Sequence, residues 1–144
     1  GREPRELRAM SPEAAARAVL GGHLRELRAR PVTREIMKWE LLQKNELGDA
    51  LARAREESGI ELLAALPRAM RNARTRDLAA VGALLHAGIS YLAMRADTVN
   101  DYLGIQLDEE AGWKRIRTAI DDIVRALTQP RSPQGQRRKA TKRR

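Results

Sequence analysis

The sequence contains no cysteine and no phenylalanine, and each absence excludes a class of structure. Without cysteine the chain has no disulfide, no thiolate zinc site and no cysteine nucleophile, which suits a reducing compartment. Without phenylalanine, the aromatic residues are two tryptophans and two tyrosines: Trp39, Trp113, Tyr91 and Tyr102. We therefore expect a core built from Leu, Ile, Val, Ala and Met.

Long apolar runs are also missing from the sequence. No run approaches the roughly 18 residues that span a bilayer, and the first residues lack the apolar segment of a signal peptide. We therefore expect a soluble, cytoplasmic protein with no membrane contact. At 144 residues the chain is long enough for one domain with its own core, and too short for a multi-domain enzyme.

The net charge of +9 is concentrated at one end of the chain. Residues 131–144 hold seven basic side chains and no acidic one, whereas the other residues hold 21 basic and 19 acidic side chains, a balance of +2. We expect residues 1–129 to form one domain and residues 130–144 to be a disordered basic tail, because the tail has no apolar group to offset its ordering entropy. Such a tail either adds non-specific contact with DNA or only keeps the chain soluble.

Residue patterns of enzymes and metal sites are absent from the sequence. There is no phosphate-binding glycine loop, no dinucleotide fingerprint and no nucleophile elbow. The only histidines, His23 and His86, do not share a helical metal-binding pair, and adjacent carboxylates such as Glu109-Glu110 point about 100 degrees apart on a helix. We expect no catalytic residue, no metal and no cofactor, and a structural role for Ser90.

Strand signals are almost absent, and apolar residues repeat at three and four along nearly every segment. The fold class predicted is all-α, a bundle of about five to six helices. Ser11 followed by Pro12 and Glu13 is typical of a helix start, and Pro31 predicts that this helix ends at about Arg30.

A second, short helix opens at Val32 or Thr33, and its apolar surface is broad enough that we expect burial on two sides. Asn45 is a suitable cap for a third helix. The second helix carries its apolar side chains on two adjoining faces: Val32, Ile36 and Trp39, then Met37 and Leu41.

The fourth helix, from Thr75, has one face of large apolar residues and one of small residues. Small residues let helix backbones approach closely, which predicts packing on more than one side, and alanine filler in a monomer core is the alternative. Asp108 is expected to cap the last helix. The last helix has the three-and-four spacing of a bundle helix: Trp113, Ile116, Ile120, Ile123 and Leu127.

Several stretches between about Val32 and Leu127 carry a family resemblance. They resemble the ligand-binding, dimer-forming half of TetR-type bacterial transcriptional regulators. Members of that family begin with a helix-turn-helix DNA reader, which this sequence lacks, so we expect a fragment that holds the sensor half. The stretches are Trp39-Glu40-Leu41, Asn45-Glu46-Leu47, Ala50-Leu51, Arg55-Glu56-Glu57 with Gly59, and residues 104–116.

The resemblance implies two sites, one for an effector and one for a second subunit. The implied pocket for a small apolar effector is Met37, Trp39, Leu41, Leu66, Met70, Leu85 and His86, although each of these residues also suits plain core. In the family the last two long helices pair with those of a partner as a four-helix bundle. The implied homodimer interface is Ala83, Ala87, Ser90, Trp113, Ile116, Ile120 and Ile123, divided between the subunit's own core and its partner.

The function that the resemblance implies is effector sensing and dimerisation in a transcriptional regulator, expected to be a repressor. A ligand would shift the dimer between two states, and operator DNA would be read only through the absent N-terminal domain. The alternative is a stand-alone helical interaction module that binds another protein's helix and no small ligand.

Overall fold

The computed structural model describes residues 4–42, 45–64, 66 and 78–129, and helices dominate this part of the chain. The predicted all-α bundle of five to six helices is confirmed. In chain order the elements are α1 (Pro4–Ala9), α2 (Pro12–Ala29), α3 (Pro31–Leu42), α4 (Glu46–Ala64), α5 (Leu78–Arg95), β1 (Asp101–Tyr102), β2 (Ile105–Gln106) and α6 (Glu110–Thr128).

Helix α2 is the central element of the fold, and it packs against α1, α3, α5 and α6. It begins as its sequence predicts: Ser11 is the N-cap, and its hydroxyl accepts a hydrogen bond from the Ala14 amide at 3.2 Å. It ends at Ala29, before the helix-breaking Pro31 that starts α3. The core cluster around α2 consists of Ala16, Leu24, Leu27, Ile89, Ala93, Leu107, Trp113, Ile116, Ile120 and Val124.

Helices α3 and α4 lie beside this core. The predicted cap of α4 is confirmed, because Oδ1 of Asn45 accepts from the Gly48 amide at 2.8 Å. Arg55 of α4 donates to both carboxylate oxygens of Glu40 on α3. The expectation that α3 is buried on two sides is wrong for the chain by itself: none of its residues is fully buried, and Val32 and Leu41 are largely exposed.

A β-hairpin with two residues in each strand precedes α6, although the sequence carries almost no strand signal. Asp101 pairs with Gln106 and Tyr102 with Ile105, around a tight turn in which Leu103 and Gly104 both have positive φ. The Asp101 carboxylate holds the turn by accepting from the Gly104 amide at 3.1 Å and from Nε2 of Gln106 at 2.9 Å. The turn sequence offers only Gly104 as a signal, which is too little to predict a strand pair.

The hairpin fixes the start of α6. The predicted cap at Asp108 is wrong, because Glu109, one residue later, is the N-cap of a helix that begins at Glu110, and its side chain makes no capping hydrogen bond. Nε1 of Trp113 donates to the Leu107 carbonyl at 2.6 Å, and a Cβ placed on Gly112 would lie 1.8 Å from the Gln106 carbonyl oxygen. Close packing of the hairpin on the first turn of α6 therefore decides where this helix starts.

Helix α5 is long and apolar enough to span a membrane by length and composition alone, with a mean hydropathy of 1.3 over Leu78–Arg95. This finding corrects the expectation that no run reaches that length. The core helices of soluble proteins pass the same test, although only 17% of this helix is buried inside the chain. The predicted basic tail, residues 130–144, and the start of the fourth helix at Thr75 lie outside the described residues.

Candidate functional site

The inner side of α5 contacts α2 through an unusual polar group. Ser90 is only 6% exposed, and its hydroxyl lies 2.9 Å from Nε2 of His23 on α2. Ser90 is the one buried polar residue in the described part of the chain, and its neighbours Ile89 and Ala93 belong to the apolar core. A buried hydroxyl needs such a partner, because an unsatisfied polar group in the interior is costly.

The two histidines of the chain meet at the same place. The imidazole rings of His23 and His86 are stacked, with centroids 4.0 Å apart and planes inclined by 18°. Burial, and then the neighbouring His86, lower the pKa of His23 from 6.5 to about 4. Burial also lowers the pKa of His86, which Glu56 raises and Arg55 lowers to lesser extents. Both rings are therefore neutral at pH 7.

The residues predicted for the effector pocket fall at different depths. Met37 packs against the core, and Leu66 and Leu85 are half-buried. His86 is exposed at the rim of the α2–α5 contact, where its ring stacks on His23. Trp39 is 37% exposed and Leu41 is 76% exposed, so these two lie at the surface of the single chain. Met70 is outside the described residues.

The residues predicted for the dimer interface divide into two groups. Trp113, Ile116, Ile120 and Ser90 are buried within the chain itself. Ala83, Ala87 and Ile123 are exposed, with Ile123 at 41%. The buried residues pack in the subunit's own core. Of the residues predicted for the interface, only the exposed ones are available to a partner.

The outer side of α5 is apolar and open to solvent. Leu84 is 74% exposed and Tyr91 46% exposed, and Ala83, Ala87 and Gly88 are exposed beside them. Their spacing at three and four places them on one stripe of the helix. Apolar surface gathered on one helix in this way is typical of an interaction surface.

The end of α5 is held by an ion cluster that sequence reasoning missed. Asp97, two residues after α5, accepts from Nε and Nη2 of Arg34 at 2.9 and 2.7 Å and from Nζ of Lys38 at 2.7 Å, both residues being on α3. Hydrogen bonds from Arg34, followed by those from Lys38, lower the Asp97 pKa to about 2. Arg34 also donates to the Leu27 carbonyl of α2. The cluster thus joins α2, α3 and the end of α5.

Comparison with known proteins identifies no relative of this chain. No protein-family model, no curated protein and no solved structure matches the chain. Among the described residues there is no group of three or more His, Cys, Asp or Glu side chains able to hold a metal ion. The candidate site therefore consists of the α2–α5 contact and the apolar outer stripe of α5, described by their own residues.

Proposed function

We propose that the chain is the effector-sensing and dimerisation domain of a TetR-like transcriptional repressor in the bacterial cytoplasm. The observation that carries this proposal is the outer stripe of α5, formed by Ala83, Leu84, Ala87, Gly88 and Tyr91. An 18-residue helix that is apolar on most sides and mostly unburied within its own chain is accounted for by a second copy packed on that stripe.

The last helix supports the same arrangement. Helix α6 has Ile123 exposed beside an otherwise charged outer side, while Trp113, Ile116 and Ile120 face the chain's own core. Two long helices that both pack against α2 and both carry exposed apolar residues suit a four-helix bundle formed by two subunits. The small residues Ala83 and Ala87 would allow close approach of the partner's helix.

The effector side of the proposal rests on the α2–α5 contact. A small apolar ligand that entered beside Met37 and Leu85 would meet His86 and His23 as its polar neighbours, and a few polar groups in an apolar site fix a ligand's orientation. By linkage, a ligand that favours one dimer state and an operator that favours the other would weaken each other's binding equally. Operator contact would come from a helix-turn-helix outside this chain.

The test is the mass of the chain in solution, measured by light scattering after size exclusion over a concentration series. We expect a mass near twice 16.2 kDa for the wild type. Leu84→Glu on the α5 stripe should give the mass of one chain with unchanged helix content by circular dichroism. Leu42→Glu is the matched control, because Leu42 on α3 is even more exposed, at 83%, and lies away from the stripe.

A stand-alone interaction module is the second candidate, and apolar surface away from α5 favours it. Val32 and Leu42 on α3 and Leu47 and Ile60 on α4 are all more than 60% exposed. A helix of another protein could bind such a surface through anchors spaced at three and four. A wild-type chain that remains monomeric at every concentration would favour this function over the regulator domain.

A further inference from the structure

Two histidines from different helices share one contact in this fold. His23 lies in α2 and His86 in α5, and the stacked rings stand where these helices pack together. His23 is tied to the buried Ser90, one helical turn beyond His86. Nε2 of neutral His23 accepts a hydrogen bond from the Ser90 hydroxyl or donates one to it, according to the tautomer, whereas Nε2 of a protonated ring donates to the hydroxyl oxygen. The hydrogen bond itself therefore survives protonation.

The charged side chains near the stack do little to stabilise a positive charge on either ring. None of the ion pairs among the described residues includes either imidazole. The charged groups of α4 that act on His86 are Glu56 and Arg55, and they oppose each other. From α5, only His86 itself acts electrostatically on His23. A second proton would place two like charges in rings that are 4.0 Å apart.

We propose that the stacked rings of His23 and His86 form a pH-sensitive contact, which we name the joint. Proton uptake by these rings loosens the α2–α5 contact, while the α2–α6 contact stays packed. The α2–α6 contact is apolar around Trp113, Ile116 and Ile120, and the two ion pairs that join these helices, Arg17–Asp121 and Arg28–Glu110, contain no histidine. The joint does not depend on the proposed regulator function, because it requires only the contacts within one chain.

The pH window follows from the direction of the pKa shift. Because the folded pKa of His23 is lowered to about 4 and the unfolded pKa is 6.5, the unfolded state binds the proton first. The stability of the contact is complete above pH 6.5 and is lost progressively as the pH falls from 6.5 towards 4. The same direction holds for His86. Asp97, with a pKa of about 2, titrates below this window.

The first experiment is amide hydrogen exchange of the whole chain at pH 7 and pH 5, corrected for intrinsic exchange rates. We expect the opening constant of the amides of Ile89 and Ala93 to rise about tenfold, after allowance for partial exposure of the rings, and those of Ile120 and Val124 to rise less than about twofold. An equal rise in both helices would overturn the proposal, because the loosening would then be global.

The variant for comparison is His23→Gln together with His86→Gln, which removes every side chain with an ordinary pKa between 5 and 8 and leaves all carboxylates in place. Its α5 amides should show less than about a twofold difference between pH 7 and pH 5. A wild-type response retained in this variant would refute the joint. Should the variant fail to fold, NMR titration of the wild-type imidazoles decides: His23 protonating below pH 5 supports the joint, and protonation near 6.5 refutes it.

Discussion

Helices α5 and α6 are nearly equal in length and both pack against α2, yet they differ in what lies on their outer sides. Helix α6 buries Trp113, Ile116, Ile120 and Val124 and turns a charged side to solvent. Helix α5 buries only Ile89, Ser90 and Ala93 and turns Leu84 and Tyr91 outward. An amphipathic helix is satisfied by one neighbour, whereas a helix that is apolar on both sides leaves one side unsatisfied.

The two helices also differ in how they are attached. Apolar contacts hold α6 along its length, and two partly exposed ion pairs with α2, Arg17–Asp121 and Arg28–Glu110, lie at the edge of this contact. Arg28 also lies 4.8 Å from the centre of the Trp113 ring. Polar contacts are prominent along α5: the histidine stack and Ser90 on its inner side, and Arg34 and Lys38 around Asp97 at its end. Polar contacts depend on pH and geometry more than apolar burial does, so α5 is the helix expected to move.

The largest effect is expected where α6 begins. Gly112→Ala should lower the free energy of unfolding by about 3 kcal/mol, because the added Cβ would lie 1.8 Å from the Gln106 carbonyl oxygen and the hairpin backbone would have to shift. Gly88→Ala on α5 is the control: apart from the backbone of its own helix, no atom of the described residues lies within 4 Å of its Cβ position, and in the monomer, at low protein concentration, alanine should stabilise the helix by about 0.5 to 1 kcal/mol. Urea unfolding measures the free energy of unfolding of both variants. A similar loss of stability in the two would contradict the expected difference between α6 and α5.

A second comparison replaces one large apolar residue on each helix. Ile120→Ala on α6 should cost about 2 to 4 kcal/mol, because Ile120 is buried in the core and the variant leaves a cavity. Leu84→Ala on α5 should change the free energy of unfolding of the monomer by less than about 0.5 kcal/mol. Unfolding curves at low protein concentration test this. A large loss for Leu84→Ala there would mean that its side chain is buried within one chain.

Local signals explain which parts of this fold could be predicted. Ser11 and Asn45 cap helices with hydrogen bonds to amides three residues away, so the sequence indicates both starts. The buried Trp113, Ile116 and Ile120 follow from helical spacing alone. The cap predicted at Asp108 is wrong, because α6 starts where Gly112 and Trp113 pack against the Gln106 and Leu107 carbonyls and no side chain caps it.

The candidate site could be predicted only in part, because its contacts join residues far apart in the sequence. The family resemblance implies a pocket role for His86, but nothing in the spacing of His23 and His86 indicates that their rings stack. Likewise Asp97 carries no signal that pairs it with Arg34 on α3. Such partners follow from how helices pack, which local patterns do not contain.

The smallest effect is expected for the ion cluster at the end of α5. Asp97→Asn should lower the free energy of unfolding by about 1 to 2 kcal/mol at pH 6, because the carboxylate accepts from both Arg34 and Lys38 and the side chain is only 24% exposed. Asp122→Asn on α6 removes a pair with Arg125 in which the carboxylate is 60% exposed, and it should cost less than about 0.5 kcal/mol.

The pH dependence of the Asp97 effect identifies the carboxylate as its cause. The folded pKa of Asp97 is lowered to about 2 from 3.8, so its contribution is present above about pH 4 and is lost as the pH falls towards 2. The difference between the wild type and Asp97→Asn should therefore be about half as large at pH 3 as at pH 6, measured by urea unfolding. A difference that stays constant over this range would assign the loss to altered packing of the end of α5, and α5 would then be attached by apolar contacts as α6 is.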